Sequence, residues 1–484
     1  MTDEPTIAVQ EVAVHERRVR TRFPFEYGIA RMTELPHCFV QAVVEVNGER
    51  AHGLSAEGLP PKWFTKNPDT RFEDDDLPQM RRVIDRAAQT AIEVGEREHF
   101  FAFWEALSGE QQRWAEQNKV PPLLATFGVS LLERAVLDAL CRATGQPFAT
   151  AVRRNALGLR LGAVHEVLQG TAPTDLFPET PRSSMHARHT VGLGDPIVSG
   201  DTSAEETPDD GLPYALTEAI EQYGLTHFKI KVRGNLETDL RRLMCLAELL
   251  PEQTDGQFRF TLDGNEQFSD VETFREHWEM YRSEPALGAF FENHLLFVEQ
   301  PLHRNHALRV EVGRALDQWE KSPPMVVDES DATLESLPRA LSLGYDGTSY
   351  KSCKGIVKGL ANAGLLAWRR RRNGQTALLS GEDLSTIGPV GLLQDLTVMA
   401  TLGIDHVERN GHHYVRGLSA FPDPVQRRVL NRHGDLYERH PDGFATVRID
   451  DGTLRLDSLL DAPFGYAPDF DPAHLGDERT AIRA

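Results

Sequence analysis

The chain has 484 residues, of which 40% are apolar and 26% charged, a composition typical of a globular protein that excludes disorder of the whole chain. Its 52 basic and 73 acidic residues give a net charge of −21, which argues against a nucleic-acid-binding protein because phosphate binding needs concentrated Lys and Arg. The length predicts two large domains, or one barrel with a substantial companion.

The cysteines and the first residues indicate the cellular compartment. Cys38, Cys141, Cys245 and Cys353 form no C-x-x-C pair, which excludes a disulfide scaffold and a thiolate zinc site. The start of the chain is polar and acidic, without the apolar segment of a signal peptide, and no apolar run approaches the ~18 residues of a membrane span. We expect a cytoplasmic protein that binds neither membrane nor nucleic acid.

The first 165 residues predict an α+β domain. Residues 38–46 are rich in β-branched side chains, and Asn47-Gly48 then predicts a hairpin with residues 49–53. Residues 77–118 have a polar helical period, and residues 129–143 place their apolar side chains on one stripe. Gly145 follows as a helix stop.

Further along the chain, short apolar runs alternate with helical patterns. The predicted strands are residues 186–192, 226–232, 258–263, 295–299, 325–328, 347–351, 377–380 and 406–408. Eight strands alternating with helices over roughly 230 residues predict a (β/α)8 barrel of the TIM type, here residues 166–417. A doubly wound sheet is the rival, but no glycine-rich nucleotide-binding motif follows any strand. The segment 418–484 is predicted to return to the N-terminal domain, with residues 444–449 as the returning strand.

Charged side chains end five successive strands of this predicted barrel. Asp263, Glu299 and Asp328 end the third, fourth and fifth strands, and Lys231 and Lys351 end the second and sixth. Barrel enzymes place their active sites at these carboxyl ends. Three converging carboxylates repel one another unless a cation lies between them, and oxygen ligands without cysteine favour Mg²⁺.

The second strand carries a lysine pair. Lys229 and Lys231 are two residues apart, so their side chains share one side of the strand and are predicted to point into the barrel. Two ammonium groups so close disfavour each other's charge, which predicts a lowered pKa for at least one of them. A lysine tuned in this way can act as a base.

These residues occur in five ordered motifs, K-I-K-V, L-D-G-N, V-E-Q-P, V-D-E-S and Y-K-S-C-K-G. In this arrangement the chain resembles the enolase superfamily, and within it the muconate-lactonising-enzyme-like subgroup of the mandelate racemase/muconate lactonising enzyme family. The helix at residues 131–147 is similar to the helix that precedes the barrel in that family. The resemblance covers most of residues 20–415 and implies that the N-terminal domain caps the barrel.

The resemblance also implies roles for individual residues. Asp263, Glu299 and Asp328 would bind Mg²⁺, Lys231 would be one acid/base, Lys229 its electrostatic modulator, and Lys351 the base on the opposite face of the substrate. The metal would bind a substrate carboxylate. The step shared by the family would be removal of the α-proton to give a metal-stabilised enolate.

Candidate substrate contacts come from the cap segments 23–28 and 53–64 and from the strand ends. They are Tyr27, Glu57, Lys62, Trp63, Asn265, Glu382 and Glu408. Asp383 is a further acid at the mouth, and for each of these side chains ordinary packing or solvation is the alternative. His412 and His413 are interpreted as structural or solvated.

The predicted outcome is racemisation, epimerisation or cycloisomerisation of a small carboxylate by a homo-oligomer. A lyase that acts through the same enolate, by dehydration or β-elimination, and a catalytically silent barrel are the alternatives. Lys351 stands where mandelate racemases and many sugar-acid dehydratases have a His-Asp arrangement, and the eighth strand lacks the D-x-D of dipeptide epimerases. An amidohydrolase is disfavoured because His186 and His189 are three residues apart. Insertions near residues 66–120 and 199–211 lengthen the chain beyond most relatives.

Overall fold

A computed structural model describes residues 4–201, 207–374, 376–467 and 469–484, so part of the predicted acidic loop at 199–211 lies outside the described residues. The strands are β1 (Ile7–Tyr27), β2 (Ala30–Val46), β3 (Glu49–Gly58), β4 (Ser184–Val191), β5 (His227–Lys231), β6 (Arg259–Asp263), β7 (Leu295–Glu299), β8 (Met325–Val327), β9 (Gly347–Tyr350), β10 (Leu378–Gly381), β11 (His406–Arg409), β12 (Tyr437–Arg439), β13 (Ala445–Val447), β14 (Thr453–Arg455) and β15 (Asp477–Arg483).

The helices surround these strands. They are α1 (Leu77–Glu93), α2 (Phe100–Gln117), α3 (Pro122–Thr144), α4 (Phe148–Arg153), α5 (Leu161–Val164), α6 (Pro173–Leu176), α7 (Leu216–Tyr223), α8 (Leu236–Gln253), α9 (Val271–Ser283), α10 (Pro285–His294), α11 (Arg304–Ala307), α12 (Val310–Asp317), α13 (Ser336–Ser342), α14 (Ile356–Asn373), α15 (Gly391–Leu402), α16 (Gly411–Tyr414), α17 (Asp423–Arg432), α18 (Asp457–Leu460) and α19 (Pro472–Leu475). Among the described residues, no helix combines the length and the apolar character needed to cross a membrane.

Strands β4 to β11 form the barrel. They are parallel and adjacent in chain order, and β11 pairs with β4 from His406↔His186 to Arg409↔His189, which closes the sheet. Their side chains are mostly buried, as expected for parallel strands covered by helices on the outside. The predicted barrel and each of its eight strands are confirmed.

The N-terminal cap is an antiparallel sheet in the order β15-β1-β2-β3, packed against helices α1 and α3. Asn47 and Gly48 both have positive φ, 51° and 84°, which is the geometry of the predicted two-residue hairpin. Gly53 lets α3 lie close to β3, since a Cβ at this position would be 1.9 Å from the carbonyl oxygen of Ala135. A capping α+β domain next to the barrel is therefore confirmed.

The prediction for the C-terminal segment was wrong in one respect. Strand β13 forms, but its three residues pair with β12 and not with a strand of the cap. The strand that returns to the cap is β15, which pairs with β1 from Glu11↔Arg483 to Glu16↔Asp477. It pairs with backbone groups of β1 that would otherwise lie at the edge of the sheet. The domain boundaries at 165/166 and 417/418 stay predictions.

A buried carboxylate joins the cap to the barrel. Glu133 of α3 accepts hydrogen bonds from the backbone N–H groups of Ile356 (2.9 Å) and Val357 (2.6 Å) at the start of α14. Burial raises the pKa of Glu133 from its ordinary 4.5 to about 7, although these hydrogen bonds favour the charged form. A raised pKa in the folded state means that folding favours the protonated carboxyl.

Replacing Glu133 by glutamine should therefore remove one pH-dependent contribution to stability. Wild-type stability relative to Glu133→Gln should be greatest below pH 4.5 and should fall by about 3 kcal/mol as the pH rises from there to about 7. Urea unfolding of both proteins between pH 5 and 8 measures this difference, with Glu105→Gln on the exposed face of α2 as the control. A difference that stays constant with pH would contradict the prediction.

Candidate active site

The carboxyl ends of the barrel strands bring the predicted acidic and basic side chains together beneath the cap. Lys229 and Lys231 lie on β5, Asp263 and Glu299 end β6 and β7, and Asp328 and Lys351 directly follow β8 and β9. All six side chains are buried, with at most 5% of each residue exposed. Charges held away from water interact strongly, so their pairing determines what the site can do.

Lys229 is at the centre of the group. Its Nζ lies 3.0 Å from Asp263 Oδ2, 2.8 Å from Glu299 Oε2, 2.7 Å from Glu382 Oε2 and 3.0 Å from Glu408 Oε2. Burial alone would lower the pKa of Lys229, but these four carboxylates outweigh burial and raise it well above 10.5. The predicted lowering by repulsion between the paired lysines is therefore wrong for Lys229, because the surrounding negative charge dominates.

Lys231 has different partners. Its Nζ donates hydrogen bonds to Asp263 Oδ2 (2.8 Å) and to Asn265 Oδ1 (2.6 Å), so Lys229 and Lys231 share one carboxylate oxygen. Burial opposes ionisation of Asp263, but the two ammonium groups lower its pKa below the ordinary value. Asp263 is thus held as a carboxylate between the two lysines.

Two lysines also hold Asp328. Lys351 Nζ lies 2.7 Å from Oδ2, Lys354 Nζ lies 2.8 Å from Oδ1, and Ser349 donates its hydroxyl to Oδ1 at 2.5 Å. Burial opposes ionisation of Asp328, but Lys351 and Lys354 lower its pKa well below 3.8. The sequence predicted no role for Lys354, the second lysine of the Y-K-S-C-K-G motif. A short helical turn at Ser352–Lys354 places it next to Asp328.

Glu299 is the least compensated of the three predicted metal ligands. Burial raises its pKa well above 4.5, and so does repulsion from Glu382, Asp263 and Asp328, against the attraction of Lys229. Its Oε1 is buried and has no hydrogen-bond partner in the described part of the chain. Such an oxygen among further carboxylates fits a hard divalent cation such as Mg²⁺. As now arranged, no three His, Cys, Asp or Glu side chains of the described residues surround a common metal position.

A pocket lies above the lysines, closed on the cap side by aromatic residues. It is lined by Phe25, Tyr27, Pro60, Trp63, Lys229, Lys231, Asn265, Lys351, Asp383, Leu384, Ser385, Glu408 and Asn410. Lys351 Nζ is 4.6 Å from the ring centroid of Trp63, within cation–π range. The Tyr27 hydroxyl donates to the Pro61 carbonyl at 2.8 Å, which fixes its ring at the pocket wall.

Five of the seven candidate substrate contacts lie in the pocket or against Lys229. Tyr27, Trp63, Asn265 and Glu408 line the pocket, whereas Glu382 lies against Lys229 and is fully buried. Sequence reasoning missed Asn410, which lines the pocket from the position directly after β11, and its nearness to Glu408 was the only local signal for it.

Glu57 and Lys62 do not line this pocket. Lys62 Nζ lies 2.8 Å from Asp76 Oδ2 and donates to the hydroxyl of Thr70 at 2.6 Å. Glu57 pairs with Arg134 at 3.2 Å and accepts a hydrogen bond from the Thr386 hydroxyl. Their placement favours a structural role, with Glu57 connecting β3 of the cap to the loop that follows β10.

Removing the Glu57 carboxylate should therefore cost stability. Glu57→Ala leaves the guanidinium of Arg134 buried and unpaired, which should lower the free energy of unfolding by about 3–5 kcal/mol. Urea unfolding measures the loss, and the paired change Glu57→Leu with Arg134→Met should recover part of it because no buried charge is left unpaired. A single variant as stable as the wild type would refute this structural role.

His412 and His413 are buried and lie outside the lining of the pocket. His412 Nε2 is 2.9 Å from Nδ1 of His189 on β4, and burial lowers the pKa of all three histidines. The pair thus belongs to a neutral histidine cluster between the first and last barrel strands. A solvated position for His412 and His413 is excluded, and the structural interpretation fits this arrangement.

Comparison with known proteins shows which solved structures are similar in fold to this chain. No protein-family model and no curated protein matches the sequence. An enolase-superfamily member from Listeria innocua is similar in structure, with a TM-score of 0.61, 13% identity and 98% of each chain covered. A mandelate racemase/muconate lactonizing enzyme from Bordetella bronchiseptica gives a TM-score of 0.58 at 15% identity, covering 97% of this chain and 99% of its own.

A third similar structure is a dipeptide epimerase from Enterococcus faecalis in complex with Mg and the dipeptide L-Leu-L-Tyr. Its TM-score is 0.53 at 16% identity, with 84% of this chain and 92% of the epimerase covered. The chain therefore has the fold of the enolase superfamily. Proteins described as mandelate racemase/muconate lactonizing enzymes share this fold, in agreement with the fold that the five motifs implied.

Proposed function

We propose that the chain is an enzyme that abstracts the α-proton of a small carboxylate substrate, giving an enolate and then racemisation, epimerisation or cycloisomerisation. The observation that carries this proposal is the position of two lysines in one pocket. Lys231 ends β5 and Lys351 follows β9, four strands further round a closed barrel of eight, so they face each other across the mouth. An α-carbon held between them presents one face to each amine.

The buried carboxylates support the proposal because, through a bound cation, they would stabilise the negative charge of the enolate. Asp263, Glu299 and Asp328 would hold Mg²⁺, which when bound supplies positive charge that stabilises the developing enolate oxygen. Lys231 and Lys351 remove or return the proton on opposite faces, and the ammonium of Lys229 adds positive charge beneath the substrate. Trp63, Tyr27 and the rest of the cap exclude water, which strengthens every charge interaction below them.

One observation favours a lyase as the second candidate. Burial alone would lower the pKa of Lys351, but Asp328, at 2.7 Å, raises it well above 10.5. A lysine held as an ammonium serves as an acid or an electrostatic partner, while Lys231 acts as the only base. A dehydratase or β-eliminating enzyme needs only that single abstraction.

The proposed activity is tested by proton exchange. The protein is incubated in D₂O with MgCl₂ and a library of α-carboxylates, and deuterium entry at the α-carbon is followed by NMR. The measurement is repeated after divalent ions have been removed with a chelator and again after Mg²⁺ has been returned. We expect exchange with a subset of the library, a loss of at least about a hundredfold on chelation, and restoration by Mg²⁺. Exchange that survives full chelation would contradict the metal assignment, and no exchange with any carboxylate would favour a silent barrel.

A further inference from the structure

The guanidinium of Arg188, on β4, is fully buried inside the barrel. Arg188 does not line the pocket. Its Nη2 donates to Ser380 Oγ (3.0 Å), to the Gly381 carbonyl (2.9 Å) and to Glu382 Oε1. Its Nη1 contacts Nδ1 of His406 at 2.5 Å. These partners lie on β10, directly after β10 and on β11, so Arg188 connects the first barrel strand to the last two.

Glu382 continues this connection toward the active site. Oε1 is occupied by Arg188 and by the hydroxyl of Ser380, whereas Oε2 accepts a hydrogen bond from Lys229 Nζ at 2.7 Å. The same Nζ lies 3.0 Å from Asp263 and 2.8 Å from Glu299 on the other side. The ammonium of Lys229 is thus shared between the Glu382 side of the barrel and two of the carboxylates assigned to Mg²⁺.

We infer that Arg188 is a positioning residue that, by holding Glu382, sets how strongly the ammonium of Lys229 is drawn away from Asp263 and Glu299. This inference rests on the proposed function, since it matters only if those two carboxylates bind the metal. It gives a function to Arg188 on β4 and to Glu382 directly after β10, neither of which lines the pocket.

The charges of Glu382 and Arg188 determine whether the loss of each side chain should weaken or strengthen Mg²⁺ binding. Without the negative charge of Glu382, the ammonium of Lys229 has fewer partners on that side and competes more strongly for Asp263 and Glu299. Without Arg188, the charge of Glu382 no longer has a guanidinium partner and draws the ammonium of Lys229 more strongly toward itself. Loss of the acid should therefore weaken Mg²⁺ binding, and loss of the base should strengthen it.

Titration calorimetry of the full chain with MgCl₂ tests this inference. Glu382→Gln, which keeps the shape of the side chain, should weaken Mg²⁺ binding about tenfold, and Arg188→Met should strengthen it about tenfold. Both changes should shrink to about twofold or less when they are repeated in a Lys229→Met background. If Arg188→Met fails to fold, the Glu382→Gln cycle with Lys229→Met decides alone.

The Lys229→Met background separates positioning from simple loss of charge. A distant charge acts on Mg²⁺ equally in both backgrounds, so equal changes in both, or no change in either, would overturn the inference. Asp138→Asn, which removes a buried carboxylate paired with Arg142 in the cap, is the matched control and should leave Mg²⁺ affinity unchanged. If the wild type itself binds no Mg²⁺, the metal site of the proposed function fails; if it binds and only the coupling is missing, the inference alone fails.

Discussion

Replacing Lys351 by alanine should stop deuterium exchange at the α-carbon for one enantiomer of a true substrate and preserve it for the other. Lys351 and Lys231 approach the pocket from opposite sides of the barrel, so each serves one face of the α-carbon. Loss of a positioned acid/base costs about 10²–10⁴-fold in rate, so the affected enantiomer should show a drop of this size. Exchange in D₂O, followed by NMR for each enantiomer separately, measures it.

The reciprocal variant makes the test specific. Lys231→Ala should suppress exchange of the other enantiomer, and Lys321→Ala, at an exposed position after α12, is the matched control that should change neither. Exchange of both enantiomers surviving either single change would rule out the paired bases. Loss of all exchange in Lys231→Ala, with slowed but not enantiomer-selective exchange in Lys351→Ala, would instead support the one-base lyase.

The barrel could be predicted from sequence because each strand carries its own local signal. An apolar run that ends in a charged residue, as in the segments ending at Asp263 and Glu299, identifies both a buried strand and its functional end. The five ordered motifs then predicted which side chains meet, since successive parallel strands are neighbours in the barrel. The return of the C-terminal segment to the cap was predicted, but the returning strand was placed at residues 444–449 and not at β15, because nothing local to residues 477–483 indicates their partner strand.

The electrostatics of the site could not be predicted in the same way. The pKa of Lys229 depends on Glu382 and Glu408, which are more than 150 residues away in sequence. Local spacing showed only the repulsion by Lys231. Arg188 and Glu382 are 194 residues apart, and Glu57 is 77 residues from Arg134 and 329 from Thr386. Arg188 was therefore overlooked, and Glu57 was considered as a substrate contact. Residues whose function depends on distant partners are visible only in the folded chain.

Replacing Glu299 by glutamine should separate metal binding from stability. The change keeps the shape of the side chain and removes one of three negative charges, so Mg²⁺ affinity should fall about a hundredfold by calorimetry, because hard cations bind anionic oxygen most strongly. Without metal, the variant should be no less stable than the wild type. Burial and the repulsion from Glu382, Asp263 and Asp328 already raise the pKa of Glu299 well above 4.5.

The sign of the pH dependence provides a second readout of the same variant. Because the pKa of Glu299 is raised in the folded protein, its contribution to stability is fully present below pH 4.5 and is lost as the pH rises toward the folded-state pKa. In the presence of a chelator, wild type should therefore lose stability relative to Glu299→Gln on raising the pH, whereas Glu292→Gln, exposed on α10, should follow the wild type at every pH. Unchanged Mg²⁺ affinity in Glu299→Gln would remove this residue from the metal site, and a large loss of stability without metal would show that its carboxylate mainly serves the fold.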